Sequence, residues 1–252
     1  MSVAALPMYD WPEVAEATDA LWRALRNGLR GAGFDAPEAL TRGGDPWKIW
    51  RARDLLLAQT CGLPYAARLC GDVSLLGAPS YDLPGVPPGR YRSVVVARVG
   101  EGADFAGRRF AFNARESQSG WAAFAASFGD PARVFGALVE TGAHRASIRS
   151  VADGRADFAA VDAVSWRLAE RHEPAAEALA VVAETPPTPG LPLITRRRDE
   201  RALAHMRLVI ETEVEMLDPA VRAALFLKGF VKMRPEDYAP LAAGWPRREG
   251  ET

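Results

Sequence analysis

The sequence has little of several features that would assign it to a specialised class. It contains two cysteines and three histidines in 252 residues, and 31 basic side chains nearly balance 32 acidic ones. The longest basic run is the arginine triplet at 196–198. The sequence therefore has no basic segment typical of proteins that bind nucleic acid or an anionic membrane. No stretch approaches the roughly 18–20 apolar residues that cross a bilayer. We therefore expect no membrane insertion, no nucleic acid and a small-molecule partner.

The first residues also lack a secretion signal. A basic start followed by an apolar run of about 7–15 residues would mark one, and neither is present. We therefore expect a periplasmic location if an export leader has been removed, and a cytoplasmic location otherwise.

The two cysteines, Cys61 and Cys70, are expected to be free thiols. If 64–70 is helical, nine residues separate their Cα atoms by roughly 13 Å, beyond the roughly 7 Å limit of a disulfide. No other residue at metal-ligand spacing accompanies them. We expect no metal site and no cofactor.

Val-rich segments alternate with amphipathic ones along the chain, which predicts the α/β class with mostly parallel sheets flanked by helices. Strands are predicted at 3–8, 54–58, 73–76, 93–99, 109–113, 156–161 and 179–183. Helices are predicted at 10–31, 120–128, 145–153, 163–171, 199–217 and 219–227.

Two proline-rich segments, 79–89 and 185–192, predict domain borders. Each adjoins a predicted strand, as two extended crossings between lobes would require. Lobe 1 is then discontinuous, with residues 1–89 and 189–252, and lobe 2 is inserted as residues 90–188.

The most informative motif is Ser117-Gln118-Ser119-Gly120, a polar turn between a predicted strand and a predicted helix. The unpaired amides of a first helical turn, with the positive end of the helix dipole, form a site for an anion. Two hydroxyls add donors, and Gly120 lets a ligand approach the backbone. Alternatively, Ser117 or Ser119 is a plain helix N-cap.

Two further turns repeat this pattern. His144 follows a glycine turn at a helix start and could donate to an oxyanion, or else it caps and packs. Asp162 ends a predicted buried strand, where α/β sheets bind ligands, and could hold a ligand ammonium or serve as an N-cap.

The candidate residues of lobe 1 and of the crossing are more ordinary. Gln59, Thr60 and Tyr65 follow a predicted strand, and Tyr91 lies at the first crossing. All of them can line a cleft, although aromatic residues at such places are also common packing residues.

These motifs, in this order, resemble the substrate-binding proteins of ABC importers for phosphate and phosphonates. The resemblance rests on the first strand through Tyr9, on 59–65, on 91–93 and on the run from Asn113 through Ser119 and His144 to Asp162. It implies a type II periplasmic-binding-protein fold, whose two lobes close on an oxyanion.

The resemblance also implies roles for the candidate residues. Ser117, Gln118, Ser119 and His144 would hold the oxyanion beside Gly120, Asp162 would take an amine, and Tyr9, Tyr65 and Tyr91 would line the cleft. The sequence departs from better-known members at Gln118, where they have a small hydroxyl residue. The implied partner is an ABC permease.

Two other functions remain open from the sequence. The same binding fold could serve as a cytosolic sensor or carrier of an anionic metabolite. Ser119, His144 and Asp162 have the residue types of a hydrolase triad. Ser119 is not part of the G-x-S-x-G motif that places the nucleophile of many hydrolases, however. We therefore expect a binding protein and not an enzyme.

Overall fold

The computed structural model describes residues 2–246. Within this range the strands are β1 Val3–Ala5, β2 Leu55–Gln59, β3 Val73–Tyr81, β4 Arg90–Tyr91, β5 Ser93–Arg98, β6 Arg109–Phe112, β7 Ala137–Glu140, β8 Phe158–Asp162, β9 Leu179–Glu184, β10 Thr188–Pro189, β11 Leu193–Arg196 and β12 Leu227–Val231. The α-helices are α1 Ala15–Gly31, α2 Pro46–Trp50, α3 Gly62–Pro64, α4 Ala123–Phe128, α5 Pro131–Val134, α6 His144–Ala152, α7 Ala163–His172, α8 Glu200–Met216, α9 Pro219–Ala224 and α10 Pro235–Tyr238.

Shorter helical segments complete the chain. Wider π turns lead into or out of α-helices at Tyr65–Leu69 and Gln118–Ala122, and 3-10 turns occupy Pro12–Val14, Pro174–Ala178 and Ala239–Gly244. No helix in the described range is long and apolar enough to cross a membrane.

The chain forms two compact units. Unit 1 contains residues 2–90 and Pro189–Pro240, and unit 2 contains Tyr91–Thr188 and residues 241–246. The chain therefore passes between the units at 90/91, 188/189 and 240/241, while the predicted borders are 89/90 and 188/189.

Unit 1 is a five-stranded sheet in the order β1-β2-β11-β3-β12, with α1 and α8 packed together beside it. The apolar stripe of α1, with Trp22, Leu25 and Leu29 buried, faces the core. Gly28 allows the close approach of the two helices, because a Cβ there would lie 2.8 Å from Val209 of α8.

Unit 2 is a second five-stranded sheet, in the order β7-β6-β8-β5-β9. Its core is aromatic: Phe110, Phe124 and Phe158 are fully buried, and the Phe110 and Phe135 rings stack with centroids 4.5 Å apart. Such rings bury large apolar areas and fix the sheet beneath the helices.

The α/β class is confirmed, but the sheets are mixed and not mostly parallel. Strands β1, β2 and β3 run in one direction in unit 1, and β11 and β12 run against them. In unit 2, β7, β6 and β8 are parallel, and β5 is antiparallel to both of its neighbours. Both β5 and β11 are entered directly from a crossing, with no helix to return the chain for a parallel pairing.

Several predicted boundaries were wrong. The helix predicted at 219–227 covers only Pro219–Ala224 in the structure, and strand β12 begins three residues later at Leu227. Strands β7, β11 and β12 were not predicted. Each has only four or five residues; β7 and β12 lie at sheet edges and are mostly exposed or half-buried, and β11 follows a proline-rich segment. Residues 241–246 group with unit 2, whereas the sequence prediction placed them in lobe 1.

Candidate functional site

Three helix starts lie at one edge of the sheet of unit 2. Strands β7, β6 and β8 are parallel neighbours, so their carboxyl ends meet at this edge. Each is followed by a helical segment: Gln118–Ala122 with α4 after β6, α6 after β7, and α7 after β8. Their first-turn amides therefore concentrate partial positive charge at this edge.

The first helix start is built around Ser117 and Gly120. The Gly120 amide donates to Ser117 Oγ at 3.0 Å, so Ser117 is the N-cap. A side chain at position 120 is excluded, because its Cβ would lie 1.9 Å from Asn113 Oδ1. Ser117, Gln118 and Ser119 are each at most 5% exposed, which makes this an unusually polar interior.

The second helix start is tied to the first through the end of β6. Thr141 N donates to the Phe112 carbonyl at 2.9 Å, and Gly142 N donates to the Asn113 carbonyl at 3.0 Å. Gly142 has φ +81°, the left-handed region that glycine enters without strain. These bonds hold the start of α6 beside the Ser117–Gly120 turn.

Ser119 and His144 are brought together as a result. Ser119 Oγ and His144 Nε2 share a hydrogen bond of 2.9 Å, although 25 residues separate them. Burial lowers the pKa of His144 from 6.5 to about 4, and the nearby Ala160 carbonyl opposes this effect only in part. His144 is therefore neutral at physiological pH.

Asp162 occupies the third helix start as an N-cap. Its Oδ1 accepts from Val164 N at 2.8 Å and from Ser165 N at 3.1 Å, and the residue is 2% exposed. The capping interpretation is thus observed for Asp162 as for Ser117, and a ligand role for either remains a prediction.

A hydrolase triad is not assembled here. In such a triad a carboxylate holds Nδ1 of the histidine. Within residues 2–246, His144 Nδ1 has no carboxylate hydrogen-bonded to it, and Asp162 Oδ1 is engaged by the start of α7. The arrangement can donate hydrogen bonds to an anion, but it lacks the group that would orient His144 as a base.

Unit 1 places its candidate residues differently. Gln59 Nε2 donates to the Tyr81 hydroxyl at 3.1 Å, and the Tyr9 and Tyr81 rings meet edge to face with centroids 5.0 Å apart. All three border a mainly apolar cavity of about 50 Å³, which α1 and α8 also line.

The remaining candidates of the sequence are interior residues. Thr60 is fully buried, and its amide donates to the Pro192 carbonyl at 3.0 Å. Tyr65 is 1% exposed and packs on Tyr238, and burial raises the pKa of its phenol. Tyr91 is also 1% exposed, so the structure does not present these side chains at a surface. Both cysteines are free thiols, as predicted, and they are half-buried.

The residue-by-residue prediction omitted two polar groups near the site of unit 2. Asn113 Oδ1 and Ser93 Oγ are buried and have no hydrogen-bond partner among the described residues. Ser93 pairs in register with Asp162, and Asn113 follows β6 and faces Gly120. Their position at strand ends was the available signal, and their burial became visible only in the fold.

Comparisons with known proteins agree with this geometry. The sequence profile of the family described as "ABC transporter, phosphonate, periplasmic substrate-binding protein" matches residues 57–238. A search of curated proteins found no match.

Solved structures show the same fold at low sequence identity. PhnD1 from Prochlorococcus marinus in complex with methylphosphonate is 16% identical, with a TM-score of 0.71 and 96% of each chain covered. A binding-protein component of an ABC phosphonate transporter from Pseudomonas aeruginosa is 16% identical, with a TM-score of 0.70, 95% of this chain and 84% of that chain covered. A Xanthomonas citri protein bound to ATP is 16% identical, with a TM-score of 0.69 and 96% of each chain covered.

Proposed function

Because this chain belongs to the family of periplasmic substrate-binding proteins of phosphonate ABC transporters, we propose that it binds a small phosphonate or related oxyanion at the three helix starts of unit 2. In this proposal the oxyanion meets the amides of the Ser117–Gly120 turn and the start of α6, with Ser119 and His144 as side-chain donors. The partner that receives the ligand is an ABC permease, and the protein works in the periplasm.

One observation carries the proposal: the hydrogen bond between Ser119 and His144 joins two helix starts at the carboxyl edge of parallel strands. That edge is where α/β sheets bind ligands. Ser117 already caps this helix start, so Ser119 is not needed as a cap, and an oxyanion needs donors from more than one direction.

The donors must replace the water that a phosphonate loses on binding. A buried unpaired anion is strongly disfavoured, and hydrogen bonds to a charged group contribute roughly 1.5–3 kcal/mol each. Four or five such bonds support a micromolar complex, about −8 kcal/mol, after ordering costs. The amides of the helix starts supply most of this number, and Ser119 and His144 add to it when they exchange their mutual hydrogen bond for bonds to the ligand.

The other candidates have secondary roles in the proposal. Gln118 lies next to Ser119 in the sequence and allows oxyanions other than a simple phosphonate to bind. Asp162 binds the amine of the ligand if the ligand has one. Tyr9, Gln59, Thr60, Tyr65 and Tyr91 remain predicted lining residues.

Calorimetric titration with a ligand series tests the proposal. Methylphosphonate, aminoalkylphosphonates, phosphate, sulfate and methanesulfonate present different numbers of oxygens and charges. We expect saturable binding of at least one phosphonate, with an increased melting temperature. No heat and no thermal shift with any of the five at millimolar concentration would contradict an oxyanion site.

Replacement of Ser119 by alanine locates that site. The loss of one donor to a charged oxygen should weaken binding about 10- to 100-fold, or roughly 1.5–3 kcal/mol. Ser127→Ala is the matched control, because the Ser127 hydroxyl only donates to the Ala123 carbonyl within α4. Equal affinities of the two variants would remove Ser119 from the site.

A further inference from the structure

A second, strongly basic pocket lies in unit 1. Its volume is about 480 Å³, and its polar lining residues are Arg51, Arg53, Asp72, Arg196 and Arg197. Four arginines and one aspartate thus line one pocket in a chain whose overall formal charge is −1. We call this feature the arginine pocket.

The topology of the sheet assembles the arginine pocket from distant parts of the sequence. Arg51 and Arg53 precede β2, Asp72 precedes β3, and Arg196 ends β11. Since β11 runs antiparallel between β2 and β3, these three ends meet at one edge of the sheet. The opposite ends of β2 and β3 carry Gln59 and Tyr81, so the arginine pocket lies at the other end of these strands from both residues.

The arginines of this pocket are exposed and unneutralised. All four are exposed, and none forms an ion pair with an acidic side chain in the part of the chain that the structure describes. Arg51 instead lies over the Trp47 ring at 5.0 Å. Burial lowers the pKa of Arg198, and the neighbouring Arg196 lowers it further. Elsewhere in unit 1, arginines such as Arg26 and Arg42 pair with acids, so this concentration of unpaired positive charge is local.

We propose that the arginine pocket binds a small polyanion with two or more neighbouring phosphoryl groups. A guanidinium group can donate two parallel hydrogen bonds to two oxygens of one phosphoryl group. Several guanidinium groups without an acidic partner around one pocket therefore suit a ligand with more than one charged group. The volume falls in the range of small-molecule sites, about 300–1,000 Å³. A folded partner would instead need a surface of about 800 Å².

Titration calorimetry with pyrophosphate and tripolyphosphate tests this site. The double variant Arg53→Gln/Arg197→Gln should lose at least tenfold in affinity for tripolyphosphate, because two of four charged forks are removed. Arg23→Gln is the matched control, since Arg23 is exposed on α1 and lies outside the pocket. Binding should also weaken when NaCl is raised from about 50 to 200 mM.

Two measurements separate the arginine pocket from the oxyanion site. The double variant should bind methylphosphonate as the unchanged protein does, and Ser119→Ala should bind tripolyphosphate normally. The inference is overturned if neither polyphosphate binds, if the double variant binds tripolyphosphate unchanged, or if Ser119→Ala abolishes that binding. Tighter binding of hexaglutamate than of tripolyphosphate would also overturn it, because the site would then be suited to acidic peptide.

Discussion

The parallel strands of the two sheets end in different chemical environments. In unit 2, β6, β7 and β8 lead into three helix starts, with buried serines, a histidine and an aspartate. In unit 1, β2 and β3 end at Gln59 and Tyr81, which border a mainly apolar cavity with Tyr9. These strand ends of unit 2 therefore carry buried polar groups and helix-start amides, whereas those of unit 1 carry an amide and aromatic side chains.

The physical difference lies in the connections that follow the strands. Ser117 and Asp162 each cap a helix directly after a strand, which directs first-turn amides to the sheet edge. In unit 1, the helical turns after β1 and β2 begin without a side-chain cap, and β3 leads to no helix before β4. The predictions below test this division.

The largest effect is expected from Gly120→Ala. Its Cβ would lie 1.9 Å from Asn113 Oδ1, so the first helix start must move. We expect methylphosphonate affinity to fall at least about 100-fold, near 2.7 kcal/mol by calorimetry. Gly102→Ala is the control, since nothing lies within 4 Å of a Cβ there. Unchanged affinity for Gly120→Ala would show that this helix start does not hold the ligand.

His144 should make stability depend on pH. Its pKa is about 4 in the folded protein and 6.5 ordinarily, so the unfolded chain binds more protons between these values. The free energy of unfolding should therefore fall as the pH falls from about 6.5 to 4, by at most about 3 kcal/mol.

Urea titrations of the unchanged protein and His144→Gln across this range measure the His144 contribution. The free energy of unfolding of the variant should change less with pH, because the His144 contribution is absent. Carboxylates with lowered pKa values, such as Glu173, affect the pH dependence of both proteins alike. Identical slopes would mean that His144 is not buried in its neutral form.

A smaller effect is expected at Asp162. Asp162→Ala removes the acceptor for two amides and should lower the free energy of unfolding by about 1–2 kcal/mol, whereas Asp162→Asn keeps an oxygen and should cost less. Asp130→Ala is the control, because Asp130 is an exposed cap of the short helix α5.

If Asp162 also binds an amine, Asp162→Asn should weaken the binding of aminoalkylphosphonates and leave the binding of methylphosphonate unchanged. Equal loss for both ligands would assign Asp162 to the helix alone.

The smallest effect is expected in unit 1. Tyr81→Phe removes the hydroxyl that accepts from Gln59, which should cost about 0.5–1.5 kcal/mol of stability. Methylphosphonate affinity, measured by calorimetry, should change less than about twofold if unit 2 holds the charge. A tenfold loss would contradict the division between the units.

Much of the site was predictable from sequence because strand, polar turn and helix start are local features. Ser117, Ser119, His144 and Asp162 were each found from such a turn, and three of them proved to lie at helix starts as caps or first residues. Their meeting was not predictable from local pattern, because it depends on the order of β7, β6 and β8 in the sheet.

The failures also have physical causes. Edge strands such as β7 are short and only partly buried, so they are hard to recognise in the sequence. The antiparallel direction of β5 depends on how the chain enters unit 2. The packing of the Tyr65 ring on Tyr238 from a distant helix could not be read from its polar turn neighbours, and its lining role stays a prediction. The arginine pocket was invisible for the same reason, since about 145 residues separate its two halves.

The central claim is that an oxyanion sits where the helix starts of unit 2 converge. Two-dimensional amide NMR with added methylphosphonate tests it most directly. We predict that the largest downfield shifts are those of the Gln118, Ser119 and His144 amides, together with a change in the ring of His144. Saturable binding that leaves these signals in place and moves only signals of unit 1 would contradict the account.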